Sequence, residues 1–257
     1  NEGLPFYEVL ADAQKFGYAE ANPSLDIDGF DTAHKACILC ALAYGFQPDF
    51  GKVQVSGIRH LDSCDVRYAA ECGYRIKLLA CVAREGNEVE VCVQPTLVPF
   101  SHMLSSVNGV FNAAMVNGDF SDNTMYYGRG AGRGPTASTV IGDIGDIARN
   151  IASGAPRYER AVPVYGENIM RLRAAGDINA SFYLRFSVAD RAGSFGQLAT
   201  ILGRHGVSIS TANQKDASGA FATVVVLTHV ANSSAVDAAL AEKIVNRVTR
   251  RVLEEAG

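Results

Sequence analysis

The sequence predicts an α+β protein in two parts: helices with a mixed, mostly antiparallel sheet over residues 1–154, and a ferredoxin-like βαββαβ module over 179–257. Three observations predict it. In the first 150 residues, helical runs end on glycines and give way to paired strand-like runs. Over 155–178 the apolar periodicity lapses and Pro156, Pro163, Gly166 and Gly176 accumulate, which reads as a connecting region. Beyond it the apolar pattern switches between period 2 and period 3.6 in the order of a split βαβ unit.

In the body, residues 5–16 read as a helix, with Pro5 suited to a first turn and Gly17 just past the end. After a polar loop, Asp28 is the expected N-cap of a helix running to residue 44 and closed by Gly45. From Ala36 onward that helix is apolar on every side, so burial is expected. A third helix over 62–72 stops at Gly73. Strands over 74–83 and 88–94 flank a polar turn, a second hairpin joins 109–116 to 123–127, and 135–151 has helical spacing. In the module, Phe182, Leu184, Phe186 and Val188 alternate as in a half-buried strand, and Phe195, Leu198, Ala199 and Leu202 mark one face of a helix ending at Gly206. Strands over 207–212 and 220–228 surround a turn at 216–219. Ser234 and Asp237 read as a capping box for a helix carrying Val236, Leu240 and Ile244, and 248–253 is the last strand. Such units expose strand edges and one sheet face, so pairing of modules into a dimer or larger assembly is expected.

Composition narrows the function classes. At 48% hydrophobic and 19% charged residues the chain is a folded globular protein. Its net charge is −4 with no basic stripe, which argues against nucleic acid as a partner. No apolar run approaches the ~18 residues of a membrane span. The first residues lack a basic and apolar leader, and they also lack an initiator Met, as expected of a trimmed or processed chain. Cys37, Cys40, Cys64, Cys72, Cys81 and Cys92 sit in apolar helical or strand-like stretches. With no second Cys-x-x-Cys and no histidine pair at ligand spacing, no metal is expected, and the six read as buried free thiols of a cytoplasmic protein.

Asp31 and Lys35 lie four apart on one helical face. They could be a surface pair contributing about 0.2–0.5 kcal/mol. A functional reading rests on Lys35 standing where the helix turns apolar, and on Glu20, Asp26 and Asp28 in a loop able to fold over it. A desolvated lysine exchanges protons more readily; the carboxylates oppose that and could instead hold a substrate ammonium. His34 points about 100° away from its neighbour and reads as structural. The run Gly128, Gly130, Gly132, Gly134 empties into a helix, which suits an anion or is simply a turn. Its spacing is not that of a dinucleotide fingerprint. Asp190-Arg191-Ala192-Gly193 is a strand-to-helix turn that either closes tightly or offers N–H groups to a carboxylate.

The run from Gly17, Tyr18 and Glu20 through Asp26, Gly29, Asp31 and Lys35 resembles the substrate motif of homoserine dehydrogenases. Gly57-Ile58-Arg59, Pro95-Thr96-Leu97-Val98-Pro99, Asn108-Gly109-Val110-Phe111-Asn112 and Tyr127 to Gly132 with Pro135-Thr136-Ala137 match in order, over about 3–152. The module resembles an ACT domain, with Asp190, Arg191, Gly193 and Asn213-Gln214-Lys215 as landmarks. The resemblance implies Lys35 as the proton-relaying lysine and Asp31 as its catalytic partner. It implies Tyr18, Glu20 and Asp26 as holders of the amino-acid substrate, and Gly130, Ala131 and Gly132 over the nicotinamide end of the cofactor. The implied reaction is NAD(P)-dependent interconversion of L-homoserine and L-aspartate 4-semialdehyde in threonine and methionine biosynthesis. Threonine is the implied effector at Asp190, Arg191, Gly193 and Asn213, and a homodimer or homotetramer the implied assembly. Asn22 stands where Asp is usual, and Ala192 where the ACT turn usually has Pro. The family's Rossmann half normally precedes this region, so the chain by itself is expected to bind no dinucleotide and to be inactive. The alternative is a stand-alone amino-acid sensor whose body is a dimer scaffold, although a scaffold needs neither the acidic loop nor Lys35.

Overall fold

The computed structural model describes residues 4–154, 170–242 and 247–253. α1 (Phe6–Lys15) follows Pro5, and Gly17 turns the chain away with a φ of 73°. The expected single helix from residue 28 is two: α2 (Ser24–Ile27) and α3 (Phe30–Tyr44). Asp28 is not an N-cap. It closes α2, Gly29 makes the break with a φ of 86°, and the Asp28 carboxylate is taken by Arg59. α3 ends at Gly45, φ 63°. Its burial is one-sided: Ala36 and Cys40 pack on Val53, Val89 and Val91, while Ile38, Leu39 and Leu42 face outward, Ile38 being 60% exposed. Only one flank of the helix meets the sheet.

β1 (Gln54–Val55) leads to α4 (Ser63–Glu71), capped by Asp62, whose carboxylate accepts the Cys64 N–H at 3.0 Å. β2 (Tyr74–Glu85) and β3 (Glu88–Pro99) form one long hairpin around Gly86 and Asn87, in register from Tyr74↔Pro99 to Glu85↔Glu88. β3 runs past Pro95, where the sequence pattern ends, because its other edge is paired only in patches. Residues Arg171–Leu172 meet it at Glu88–Val89, β1 at Cys92–Val93 and Arg251–Val252 at Thr96–Leu97, so Pro95, with no N–H to give, falls in a gap. β4 (Phe111–Gly118) and β5 (Asp122–Arg129) make a separate hairpin leading to α5 (Arg133–Ala152).

Pro156, Pro163 and Gly166 of the expected connecting region lie outside the described residues. Its last part is built into the fold: β6 (Arg171–Leu172) joins β3, and Met170 and Leu172 pack beneath α3. The module follows as β7 (Asn179–Ala189), α6 (Ser194–Arg204), β8 (Ile209–Ser218), β9 (Phe221–Thr228), a short β10 (Ala231–Asn232), α7 (Ser233–Ala241) and β11 (Arg247–Val252). The spatial order β11-β7-β9-β8, antiparallel throughout, is the ferredoxin-like arrangement expected. The expected capping box is displaced. Asn232 is the N-cap, accepting the Ser234 N–H at 3.2 Å, and the Ser234 hydroxyl donates to the Gly176 carbonyl instead. Ile244 lies outside the described residues.

Body and module share one nine-stranded sheet, because β11 pairs with β7 on one side and runs parallel to β3 on the other. α6 and α7 cover one face of the module around Phe186, Leu202, Val224 and Leu240. The opposite face is not free: α4 lies on it, packing Ala69 and Val66 against Tyr183, Val225 and Val252. Asp65, wholly buried on α4, accepts from Tyr183 Oη at 2.9 Å and from Arg185 Nε and Nη2 at 2.5 and 3.1 Å. Lys215 of β8 pairs with Glu71 at the end of the same helix. With β11 bordered by β3, the edge of the module left unpaired among the described residues is β8.

Candidate active site

The acidic loop is held from both ends. Gln14 of α1 donates its side-chain amide to the Glu20 and Ala21 carbonyls at 2.9 and 3.3 Å. Asn22 accepts the Ser24 N–H on its side-chain oxygen at 3.3 Å, a role Asp would fill equally. At the far end the α2–α3 corner rests on residues 56–59. Ile58 N–H donates to Ile27 O and Ser56 N–H to Val93 O, each at 2.7 Å. A Cβ on Gly57 would fall inside the Ile27 carbonyl and the Asp28 backbone, so this approach requires glycine. Arg59 then grips Asp28 with two hydrogen bonds of 2.7 Å and reaches Ser24 at 3.2 Å. That grip holds the Asp28 carboxyl below the usual carboxylate range and removes it from the cluster it was expected to join.

What remains is three carboxylates and one ammonium. Asp31 and Lys35 form the expected ion pair on the first turns of α3. The Asp26 carboxyl is pushed up, first by burial and then by Asp31, against the pull of Lys35 and with a further push from Glu20. Asp26 therefore feels the charges of Asp31, Lys35 and Glu20, with an excess of negative sign. The expected desolvation of Lys35 is not found: its side chain is 64% exposed and that of Asp31 41%, since no described residue covers the outer face of α3 here.

The glycine loop meets the start of the acidic loop at Tyr18. Gly130 N–H donates to Val110 O at 3.1 Å, and the Asn112 side chain fills the space a Cβ would need. Gly132, φ 116°, starts α5 with no side-chain cap, and a Cβ there would stand 4.0 Å from the Tyr18 ring. Tyr18 thus joins the two loops. Uncapped N–H groups at a helix start can receive a polar, electron-rich group of a ligand. His34 stacks on Phe50 with centroids 4.5 Å apart, as a structural residue would. Among the described residues no group of three or more His, Cys, Asp or Glu is arranged to hold a metal ion. No described helix is long and apolar enough to cross a membrane.

In the module, Gly193 is left-handed with a φ of 89° and opens α6 without a side-chain cap; Asp190, Arg191 and Gly193 are all exposed. Asn213 lies opposite Val225, itself opposite Arg185, five residues along β7 from Asp190. At about 3.3 Å per residue that is roughly 16 Å, so one chain alone does not gather Asn213 and the turn into one pocket.

A family model described as Homoserine dehydrogenase matches residues 1–144, and one described as ACT domain matches 182–244. The chain belongs to the homoserine dehydrogenase family. The homoserine dehydrogenase of Neisseria gonorrhoeae is 43% identical over 234 residues, 89% of this chain and 53% of that protein. That of Pseudomonas aeruginosa is 42% identical over 84% of this chain and 50% of its own length. The chain thus spans about half the length of the curated relatives it matches. The crystal structure of a homoserine dehydrogenase from Thiobacillus denitrificans, 35% identical, superposes with a TM-score of 0.86 over 98% of this chain and 59% of that one. The shared sheet and the α4 seat on the ACT module therefore occur within a fold already seen in a homoserine dehydrogenase. Arg59 entered the sequence reading only within the matched Gly57-Ile58-Arg59 run, without a role, and Asp65 was not singled out. Asp65 carried a usable signal, since a carboxylate four residues before Ala69 stands on the apolar stripe of its helix.

Proposed function

We propose that this chain is the substrate-binding and regulatory portion of a homoserine dehydrogenase that interconverts L-homoserine and L-aspartate 4-semialdehyde with NAD(P). The observation that carries it is that Asp31, Lys35 and Glu20 act on the charge of Asp26, while Tyr18 lies against the Gly132 turn, all within the residues matched by the family. Glu20 and Asp26, with Tyr18, hold the amino-acid end of the substrate, whose ammonium offsets the surplus carboxylate charge. Lys35 protonates the developing alkoxide, directly or through one water, and Asp31 orients its ammonium. The uncapped start of α5, with Gly132 in a conformation that side chains rarely adopt, would offer N–H groups to the carboxamide of a nicotinamide. When bound, the nicotinamide supplies the hydride to the aldehyde carbon. Domains of 1–154 and 179–257 follow from this reading, with threonine as the effector of the second and a cytoplasmic homo-oligomer as the working form.

The test is Lys35→Ala in an enzyme that carries this chain behind a nucleotide-binding half. Loss of a positioned proton donor should lower kcat by about 10²–10⁴-fold with unfolding unchanged. A near-normal kcat would mean that the Asp31–Lys35 pair is structural.

A further inference from the structure

The β2–β3 register sets Cys81 directly opposite Cys92. Val89 and Val91 point toward α3, so Glu90 and Cys92 belong to the other face of the sheet. Cys92 is buried and Cys81 is partly open. Cys92 Sγ donates to Glu90 Oε1 at 3.3 Å, and Gln94 Nε2 and Arg251 Nη1 approach that sulfur at 3.8 and 3.7 Å. Arg251, reaching across from β11, pairs with Glu90. None of these groups has a part in the reaction proposed above.

We propose that Cys81 and Cys92 are a modification site, closing to a reversible disulfide when a hydroperoxide reaches Cys81. Directly opposed residues of an antiparallel pair have Cα atoms about 4.5–5.5 Å apart, inside the roughly 4.4–6.8 Å that a disulfide spans, so no strand has to slide. The cysteines also differ in reactivity. Burial pushes Cys37 and Cys72 up, and Cys40 and Cys64 up to about 11; Cys92 is likewise raised, by the neighbouring Cys81 thiol and by burial. Cys81 alone is held below its ordinary value, first by the neighbouring Cys92 thiol and then by the Arg251 guanidinium, against burial and Glu90. The thiolate is the nucleophile, and Cys81 is the partly open one.

The Cys81 thiolate attacks one peroxide oxygen. The O–O bond breaks, a sulfenic acid forms on Cys81, and hydroxide leaves to become water. Cys92 then attacks the Cys81 sulfur while Glu90 accepts the Cys92 proton. The S–S bond forms as the S–O bond breaks, and the departing hydroxide takes the proton back from Glu90 as water. Two thiols lose two electrons and one hydroperoxide gains them. A small dithiol reverses the bond by exchange. The bridge would lie beside Arg251, where the last strand of the module meets the body.

The whole chain is treated with a modest excess of hydrogen peroxide, alkylated, and mapped by mass spectrometry. The proposal expects loss of two hydrogens, linked Cys81 and Cys92 peptides, reversal by dithiothreitol, and Cys37, Cys40, Cys64 and Cys72 still alkylated. Cys92→Ser should leave a Cys81 sulfenic acid that dimedone traps, and Cys81→Ser, at the more open position, should abolish the bridge. Cys81 remaining alkylatable in oxidised chain, a bridge between other cysteines, or stable over-oxidation of Cys81 without a bridge would each overturn it.

Discussion

Asp26 and Asp28, two residues apart, are pushed in opposite directions. Arg59 lowers Asp28, so the stability it contributes is present above the ordinary carboxylate pKa and is lost as pH falls through its depressed value; the α2–α3 corner should loosen in acid. Asp26 is raised, so its contribution is present below the ordinary value and lost as pH rises through the raised one. At neutral pH its ionised form opposes folding, and a substrate ammonium would offset that. Asp26→Asn should therefore raise the melting temperature at pH 7 while raising the KM for homoserine about tenfold or more, the loss of a charge-assisted hydrogen bond of about 1.5–3 kcal/mol. Melts and steady-state kinetics check the two halves separately; a lower melting temperature would mean that Asp26 is structural. The Asp31–Lys35 pair was legible from four-residue spacing. The fate of Asp28 was not, since its partner lies 31 residues further on.

Element boundaries followed local chemistry wherever the signal was local: Gly17, Gly45 and Gly73 end helices as their positions suggest. α3 was misjudged because an all-apolar composition does not say which flank meets a sheet. At α7, Ser234-x-x-Asp237 has the spacing of a capping box, yet Asn232, an equally good cap two residues earlier, captures the helix start. α4 matters most mechanically, because it seats a buried carboxylate and an apolar stripe on the second face of the module. Asp65→Ala would leave Tyr183 Oη and Arg185 without their buried acceptor. Breaking one side of a buried ion pair costs about 3–5 kcal/mol, which urea unfolding would read as a large fall in midpoint. A change below about 1 kcal/mol, typical of a surface pair, would show that water replaces the carboxylate easily.

Both parts of the molecule were legible, but not the single sheet that joins them. The pairing of Arg251 with Thr96 spans 155 positions and has no local signature. Because β11 and α4 tie module to body, an effector that shifts the module has a packed route to the substrate loops only if it binds two arrangements unequally. The exposed Asp190–Gly193 turn and the free β8 edge suit a seam between two modules. Threonine should raise the melting temperature of the chain more than its isostere valine, whose methyl would leave a polar partner unpaired. Equal shifts would indicate that Ala192 marks a module that only joins subunits.

The most direct measurement compares turnover of aspartate 4-semialdehyde with NADPH by the chain alone and by the chain joined behind the nucleotide-binding half of a homoserine dehydrogenase. If the Gly130–Gly132 turn supplies only one end of a dinucleotide site, as proposed, turnover should stay at background for the chain alone, appear when it is joined, and be lost in Lys35→Ala. Turnover by the chain alone, or a folded joined protein that binds NADPH yet leaves the aldehyde unreduced, would contradict it.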